Sequence, residues 1–330
     1  MIKGIIVLSK VACDLIYGAE GVARIARRVE LVAPPLTKAE LASRPELWAE
    51  VDVVFSGWDA PVLDEALLAR APKLRAVFYG AGSIRYFATD AFWARNIEVT
   101  SAYAMNAVPV AEFTLATILM SLKQAWHYMV RTQLDGRFPP MRESAGAFGS
   151  KVGLISLGMI GRLVRERLRP FDVEVLAFDP FVTREQATAL GVEMVSLEEI
   201  FRQCDVVSLH TPWLKETEGM ITAALLDQLK PGATFVNTAR GAVVNEADLI
   251  AVMTRRPDLT AVLDVTHPEP PVAGSPFYTL PNVILTPHIA GSKDRECRRM
   301  GSLMIEEFDR WSRGEGLKWG IDKAKAALLA

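Results

Sequence analysis

Short runs rich in Val, Ile and Leu alternate with segments whose apolar residues recur at helical spacing, and the alternation persists along the whole chain. Parallel strands need crossover connections, so the pattern selects the α/β class, with doubly wound parallel sheets covered on both faces. Up to Ala102 the candidate strands are "KGIIVLS", "VDVVFSG", "LRAVFYG" and "IEVTSA", separated by helical stretches such as "APVLDEALLARA". Pro109 then stands where a helix can begin, and "VAEFTLATILMSLKQAWHYMV" reads as one continuous apolar helix. A second series follows: "KVGLISLG", "EVLAFD", "DVVSLHT", "ATFVNTA", "LTAVLDV" and "NVILTP", six strand candidates, the number in a full dinucleotide-binding sheet. The last segment, "DRECRRMGSLMIEEFDRWSRGE", is helical and charged; it cannot form a core alone and is expected to pack on the first lobe.

The 330 residues are enough for two domains, and 50% hydrophobic residues furnish a core in each. Basic and acidic residues number 37 and 39 and are dispersed, which argues against a nucleic-acid partner. Cys13, Cys204 and Cys297 lack metal spacing and fit free thiols in a reducing compartment, so the expected location is cytoplasmic. The N-terminal apolar run has the length of one strand and no cleavage site follows it. The stretch "VPVAEFTLATILMSL" is interrupted by Glu112 and reads as a buried helix, so no membrane partner is expected.

The strand ending near Leu157 runs into Ser156-Leu157-Gly158-Met159-Ile160-Gly161 and then into a helix expected over 160–169. This is G-x-G-x-x-G with serine at the first position, in the strand-to-helix context that gives the motif weight. Gly158 lets a pyrophosphate approach the backbone, Met159 and Ile160 open the helix whose N–H groups face it, and Gly161 lets helix and strand pack closely. Ser156 gives up only the easy turn, at a cost of about 1 kcal/mol if φ is positive there. Asp179 ends the next strand, 21 residues beyond Gly158, where an acid accepts hydrogen bonds from ribose hydroxyls. Its charge opposes a 2′-phosphate, so NAD is favoured and NADP is less favoured, with Arg184 nearby as a counter-argument. The bland alternative, an ordinary strand-to-helix turn, accounts for the motif alone but not for its register with the acid.

Ligands of open parallel sheets sit beyond the carboxyl ends of strands, and three polar residues occupy such places: Arg240 after "FVNTA", Glu269 after "AVLDVTHP" and His288 after "VILTP". Each alone is more often structural. Together they offer an anion clamp, a carboxylate and a proton donor.

From "GAGSIR" through "NAVPVAEFTLA" and "LLDQLKPGATFVNTARGAVVNEADLIAVM" to "LDVTHPEPP" and "ILTPHIAGS", the chain resembles the D-isomer-specific 2-hydroxyacid dehydrogenases over nearly its whole length. The resemblance implies a Rossmann cofactor domain, residues 103–292, inserted into a discontinuous flavodoxin-like catalytic domain made of residues 1–102 and 293–330. It also implies an interdomain active site, a homodimer and a small 2-oxo or 2-hydroxy acid substrate.

By the same resemblance Arg240 holds the substrate carboxylate, His288 is the general acid and base, and Glu269 orients the histidine and stabilises its charged form. Ala81, Gly82 and Ser83 offer backbone N–H groups to the substrate. Thr211 and Pro212 flank adenosine, Thr238 and Ala239 lie near nicotinamide, Asp264 accepts from its carboxamide, and Gly291 completes the cofactor set. The family often has an aspartate just after the first glycine pair; here Ile84 and Arg85 stand there, and Arg85 either adds charge to the pocket or faces solvent. Asn106 braces the crossing between domains or lies near the cleft. Trp213 shapes the mouth of the site or caps the surface, and His267 touches substrate or faces water. His127 and His210 read as structural, and the four histidines form no convincing metal site. Two rival readings remain: an NAD(H)-sensing binding protein of corepressor type, and hydride transfer from another small anion such as phosphite.

Overall fold

A computed structural model describes residues 1–144 and 146–329, and these divide into two compact units. One comprises Met1–Asn106 together with the segment from Ser292 onward; the other is Ala107–Gly291.

The first unit carries strands β1 (Lys3–Val7), β2 (Glu30–Leu31), β3 (Val53–Ser56), β4 (Ala76–Tyr79) and β5 (Glu98–Ser101), all parallel, in the order β2-β1-β3-β4-β5. This is the flavodoxin-like order. Both faces are buried, and the period of two decides which residue serves which face. Ile5, Val54, Val77 and Val99 enter one core, while Ile6, Phe55 and Phe78 enter the other.

The helix Cys297–Ser312 closes the second of these cores with Met300, Met304, Ile305 and Phe308, as its apolar spacing requires. Gly301 permits the approach, since a Cβ there would stand 2.1 Å from the Ile16 carbonyl oxygen. Glu307, buried in this helix, accepts from the Trp319 N–H at 2.8 Å and so holds the chain that follows the helix.

The second unit carries β6 (Ser150–Ile155), β7 (Val173–Phe178), β8 (Glu193–Met194), β9 (Val206–Leu209), β10 (Thr234–Asn237), β11 (Thr260–Leu263) and β12 (Val283–Leu285). Their order, β12-β11-β10-β9-β6-β7-β8, is the dinucleotide-binding arrangement with one strand added beyond β11. The chain reverses direction across the sheet between β6 and β9, which places a crevice at the carboxyl ends of those two strands. The expected fold class, two doubly wound α/β domains, is the one observed.

Three expectations are corrected. Each sheet holds one strand more than the sequence suggested, and β2 and β8 are two-residue edge strands with no apolar run to announce them. The long apolar helix begins at Tyr103, so Pro109 lies inside it. It also ends at Leu122, because Gln124 adopts a left-handed backbone with φ of 50° and a separate helix, Ala125–Asp135, starts after it. Tyr103–Leu122 is the one helix among the described residues long and apolar enough to cross a membrane, and 50% of its apolar window is buried inside the protein.

Candidate active site

The turn after β6 is built as a nucleotide cradle. Ser156 takes φ of 75°, the conformation that glycine adopts without strain, and two bonds hold it there. Its N–H donates to the Phe178 carbonyl at 2.8 Å, and its hydroxyl lies 2.8 Å from that of Thr211. Gly158 is the N-cap of the helix Met159–Leu168, and a Cβ on it would meet nothing within 4 Å, so the space above its backbone is open. The first N–H groups of that helix have no intrahelical acceptor. Gly161 is indispensable for a different reason: a Cβ there would stand 2.2 Å from the Ser156 carbonyl oxygen. Asp179 fastens the turn from the neighbouring strand, accepting from Leu157 N–H at 2.7 Å on one oxygen and from Phe181 N–H at 2.8 Å on the other. Each carboxylate oxygen keeps a lone pair for an incoming hydroxyl. Open backbone, unsatisfied helix donors and a half-exposed acid together fit a dinucleotide.

His210 lies beneath this turn. Its Nε2 is 3.1 Å from the Ser208 hydroxyl, its Nδ1 is buried without a partner, and burial pulls its pKa down to about 4, so the ring is neutral.

The loops after β10, β11 and β12 converge within the same unit. Asn237, at the end of β10, was not singled out from the sequence. Its side-chain oxygen accepts from Ala239 N–H at 3.0 Å and its amide donates to the Arg240 carbonyl at 3.0 Å, clamping the turn that presents Thr238, Ala239 and Arg240. The signal was an asparagine at a strand end, where its side chain can mimic a backbone turn. Thr238 is fixed from below by Thr114, hydroxyl to hydroxyl at 2.9 Å. Arg240 is half-buried and donates to the Ala239 carbonyl at 2.7 Å. Gly241, next to it, must lack a side chain, because a Cβ would fall 2.0 Å from the Thr266 carbonyl carbon. That close approach brings the Arg240 turn against the loop carrying Glu269.

Glu269 Oε1 lies 2.6 Å from His288 Nδ1. Both side chains are about half exposed, so the pair stands open to solvent rather than sealed in the core. His288 has φ of 53°, and its N–H donates to the carbonyl of Asp264 at 3.0 Å. Asp264 itself is buried, with its carboxylate accepting from the Thr286 hydroxyl at 2.6 Å, Ile289 N–H at 2.8 Å and Ala290 N–H at 2.9 Å. Through these bonds Asp264, which the resemblance makes a carboxamide acceptor, also holds the histidine loop. His267 is exposed, its N–H bound to Glu246 at 3.1 Å and its ring set edge-on to Trp213 with centroids 5.1 Å apart.

In the first unit the turn after β4 leaves the N–H groups of Ala81, Gly82 and Ser83 without an acceptor among the described residues. Trp58, also not singled out from the sequence, follows β3 on the neighbouring strand and is partly exposed. Asn106 accepts from the Ser292 N–H at 2.9 Å, tying together the two places where the chain passes between units.

Residues 115–290, more than half of the chain, match the family model described as the D-isomer specific 2-hydroxyacid dehydrogenase, NAD binding domain. D-3-phosphoglycerate dehydrogenase of Mycobacterium bovis is 34% identical over 255 residues, covering 75% of this chain and 47% of that protein. The chain thus spans about half the length of that relative. (S)-sulfolactate dehydrogenase of Chromohalobacter salexigens is 34% identical over 253 residues, covering 75% and 81% respectively. Among solved structures, the TT0316 protein of Thermus thermophilus superposes with a TM-score of 0.74 at 27% identity, over 97% of this chain and 100% of that one.

Proposed function

The chain belongs to the D-isomer specific 2-hydroxyacid dehydrogenase family, and on that footing we propose that it interconverts a small 2-oxo acid and its D-2-hydroxy acid with NAD(H). The observation that carries this reading is the 2.6 Å contact between Glu269 and His288, on the same unit as the nucleotide turn.

NADH, when bound, supplies the hydride for C2 of the acid. With Nδ1 held by Glu269, His288 keeps Nε2 to give a proton to the carbonyl oxygen in reduction and to recover it in oxidation. The Arg240 guanidinium receives the acid's carboxylate and stabilises charge growing on the carbonyl oxygen. The amides of Ala81, Gly82 and Ser83 are suited to the same anion. Gly158, Met159 and Ile160 receive the pyrophosphate, and Asp179 the ribose hydroxyls, which favours NAD over NADP. Thr211 and Pro212 border adenosine; Thr238, Ala239, Asp264 and Gly291 border the nicotinamide end.

The relatives' names point to acids bearing a second anionic group, D-3-phosphoglycerate and (S)-sulfolactate. A panel of glyoxylate, pyruvate, hydroxypyruvate, 3-phosphohydroxypyruvate and 3-sulfopyruvate, each assayed with NADH and NADPH by cofactor absorbance, tests the reading. NADH-dependent reduction of at least one acid is expected; tight NADH binding with no turnover on any would favour a sensing role.

A homodimer belongs to the same proposal. It is supported by the apolar side chains of Met129, Leu134, Phe138, Met141 and Phe148, which stand exposed along one stretch of the second unit. A cytoplasmic location is supported by three buried free thiols.

A further inference from the structure

We propose that Arg85 is a positioning residue for the substrate: it fixes the Ala81–Ser83 turn by clamping it to the helix Lys323–Leu328. This deepens the reading above and rests on it for the identity of the bound anion.

The turn is short of anchors of its own. A Cβ on Gly82 would meet nothing within 4 Å, and the Ala81, Gly82 and Ser83 amides have no acceptor among the described residues. A receptor made of backbone N–H groups works only if those groups are held in place before the anion arrives. Two adjacent residues provide the hold. Ile84 is buried in the core that also contains Ile321 and Ala326, so the turn and the C-terminal helix share one apolar floor. Arg85 then reaches across the surface, its guanidinium donating to the Ala327 carbonyl at 2.9 Å. That carbonyl lies in the last turn of its helix, where no intrahelical N–H is available, and a cationic donor is its natural partner.

The helix is held in register independently. The Ile321 N–H donates to the Val99 carbonyl at 2.8 Å, Asp322 caps the helix through Lys325 N–H at 2.7 Å, and Lys323 pairs with Asp90 at 2.7 Å. On the other side of the turn the Tyr86 hydroxyl accepts from Ala60 N–H at 2.9 Å. The anion turn is thus braced from both flanks, by Tyr86 toward β3 and by Arg85 toward the C-terminal helix. Ile84 and Arg85 stand where the family resemblance leads one to expect an aspartate, so this brace belongs to the chain's own sequence.

The test compares the wild-type chain, Arg85→Met and a chain lacking residues 323–330. Amide hydrogen exchange without substrate should be accelerated about tenfold at Phe87 and Ala88, whose N–H groups donate to the Ile84 carbonyl beside the turn, in both variants, with exchange around Gly158 unchanged. With glyoxylate as the probe, KM should rise by about tenfold in both, while kcat and NADH affinity stay near wild type. Unchanged exchange in Arg85→Met overturns the clamp. A raised KM in Arg85→Met but not in the truncated chain also overturns it, since Arg85 would then act on the substrate directly. A wild-type chain that reduces no acid of the panel defeats the proposed function alone, and the exchange measurement still decides the clamp.

Discussion

The carbonyl of Asp264 accepts the N–H of His288 at 3.0 Å, while the Asp264 carboxylate accepts the next two amides, Ile289 and Ala290, at 2.8 and 2.9 Å. A strand-end aspartate on β11 therefore sets the path of the loop after β12 and holds His288 at its positive φ. Asp264→Ala leaves three donors, one buried and two partly buried, without their acceptor and should cost about 3 kcal/mol of stability. Asp264→Asn should retain more stability yet still lower kcat, because an NH2 group replaces one acceptor and must face an amide donor. Thermal melts read against kcat separate the two effects; equal kcat in Asp264→Asn and wild type would remove the positioning role.

Glu269 acts through one contact with His288. Glu269→Gln keeps the size and a hydrogen-bonding oxygen but puts a neutral amide where the carboxylate holds Nδ1, so the ring is less firmly oriented and kcat should fall by about 100-fold with NADH affinity unchanged. Titration of NADH by fluorescence beside steady-state kinetics checks this. A parallel loss of NADH binding would show that the carboxylate supports the fold of the site rather than the proton transfer.

Ser156 sets strain against a hydrogen bond. Its left-handed backbone costs about 1 kcal/mol, and its bond to Thr211 returns a comparable amount. Ser156→Gly relieves the first and loses the second, so it should lie within about 1 kcal/mol of wild type. Ser156→Ala keeps the strain and loses the bond, and should be the less stable of the two. Urea denaturation gives the order; an alanine variant more stable than the glycine variant would contradict it.

His210 makes stability depend on pH. Its folded pKa of about 4 lies below the ordinary value of 6.5, so the unfolded chain binds the proton more readily. Its contribution is full above about pH 6.5, declines as the pH falls, and is spent below about pH 4, at up to about 3 kcal/mol. His210→Asn should therefore lose less stability than wild type between pH 7 and pH 4.5, measured by denaturant titration at each pH. Parallel losses would place the acid sensitivity elsewhere.

The exposed apolar stretch from Met129 to Phe148 predicts association. Light scattering on the eluting protein should give twice the monomer mass, and Phe138→Asp should shift it toward the monomer. A wild-type monomer at micromolar concentration would contradict the proposed dimer.

Much of this was legible in the sequence because burial leaves a periodic trace. Strands β1, β3 and β4, and in the second unit β6, β9 and β10, are apolar runs with both faces covered, and such runs announce themselves. Edge strands β2 and β8 bury little and leave no trace. The break at Gln124 hides behind ordinary helix formers, because the left-handed residue is imposed by packing and not by a glycine. In the site, Gly161 was legible as part of the turn motif, whereas Gly241, which the Thr266 backbone requires to lack a side chain, carries no such mark. The clamps made by Asn237 and Asp264 join residues through loop geometry that no spacing rule encodes, so the sequence located Asp264 at a strand end without showing that it also fastens the His288 loop.

The central claim is that His288, backed by Glu269, exchanges the proton that accompanies hydride transfer. The most direct measurement is the single-turnover rate of NADH oxidation by His288→Asn with the most active 2-oxo acid of the panel, beside its NADH dissociation constant. The account predicts a rate at least about 1,000-fold below wild type with NADH binding unchanged. A rate within tenfold of wild type would contradict it.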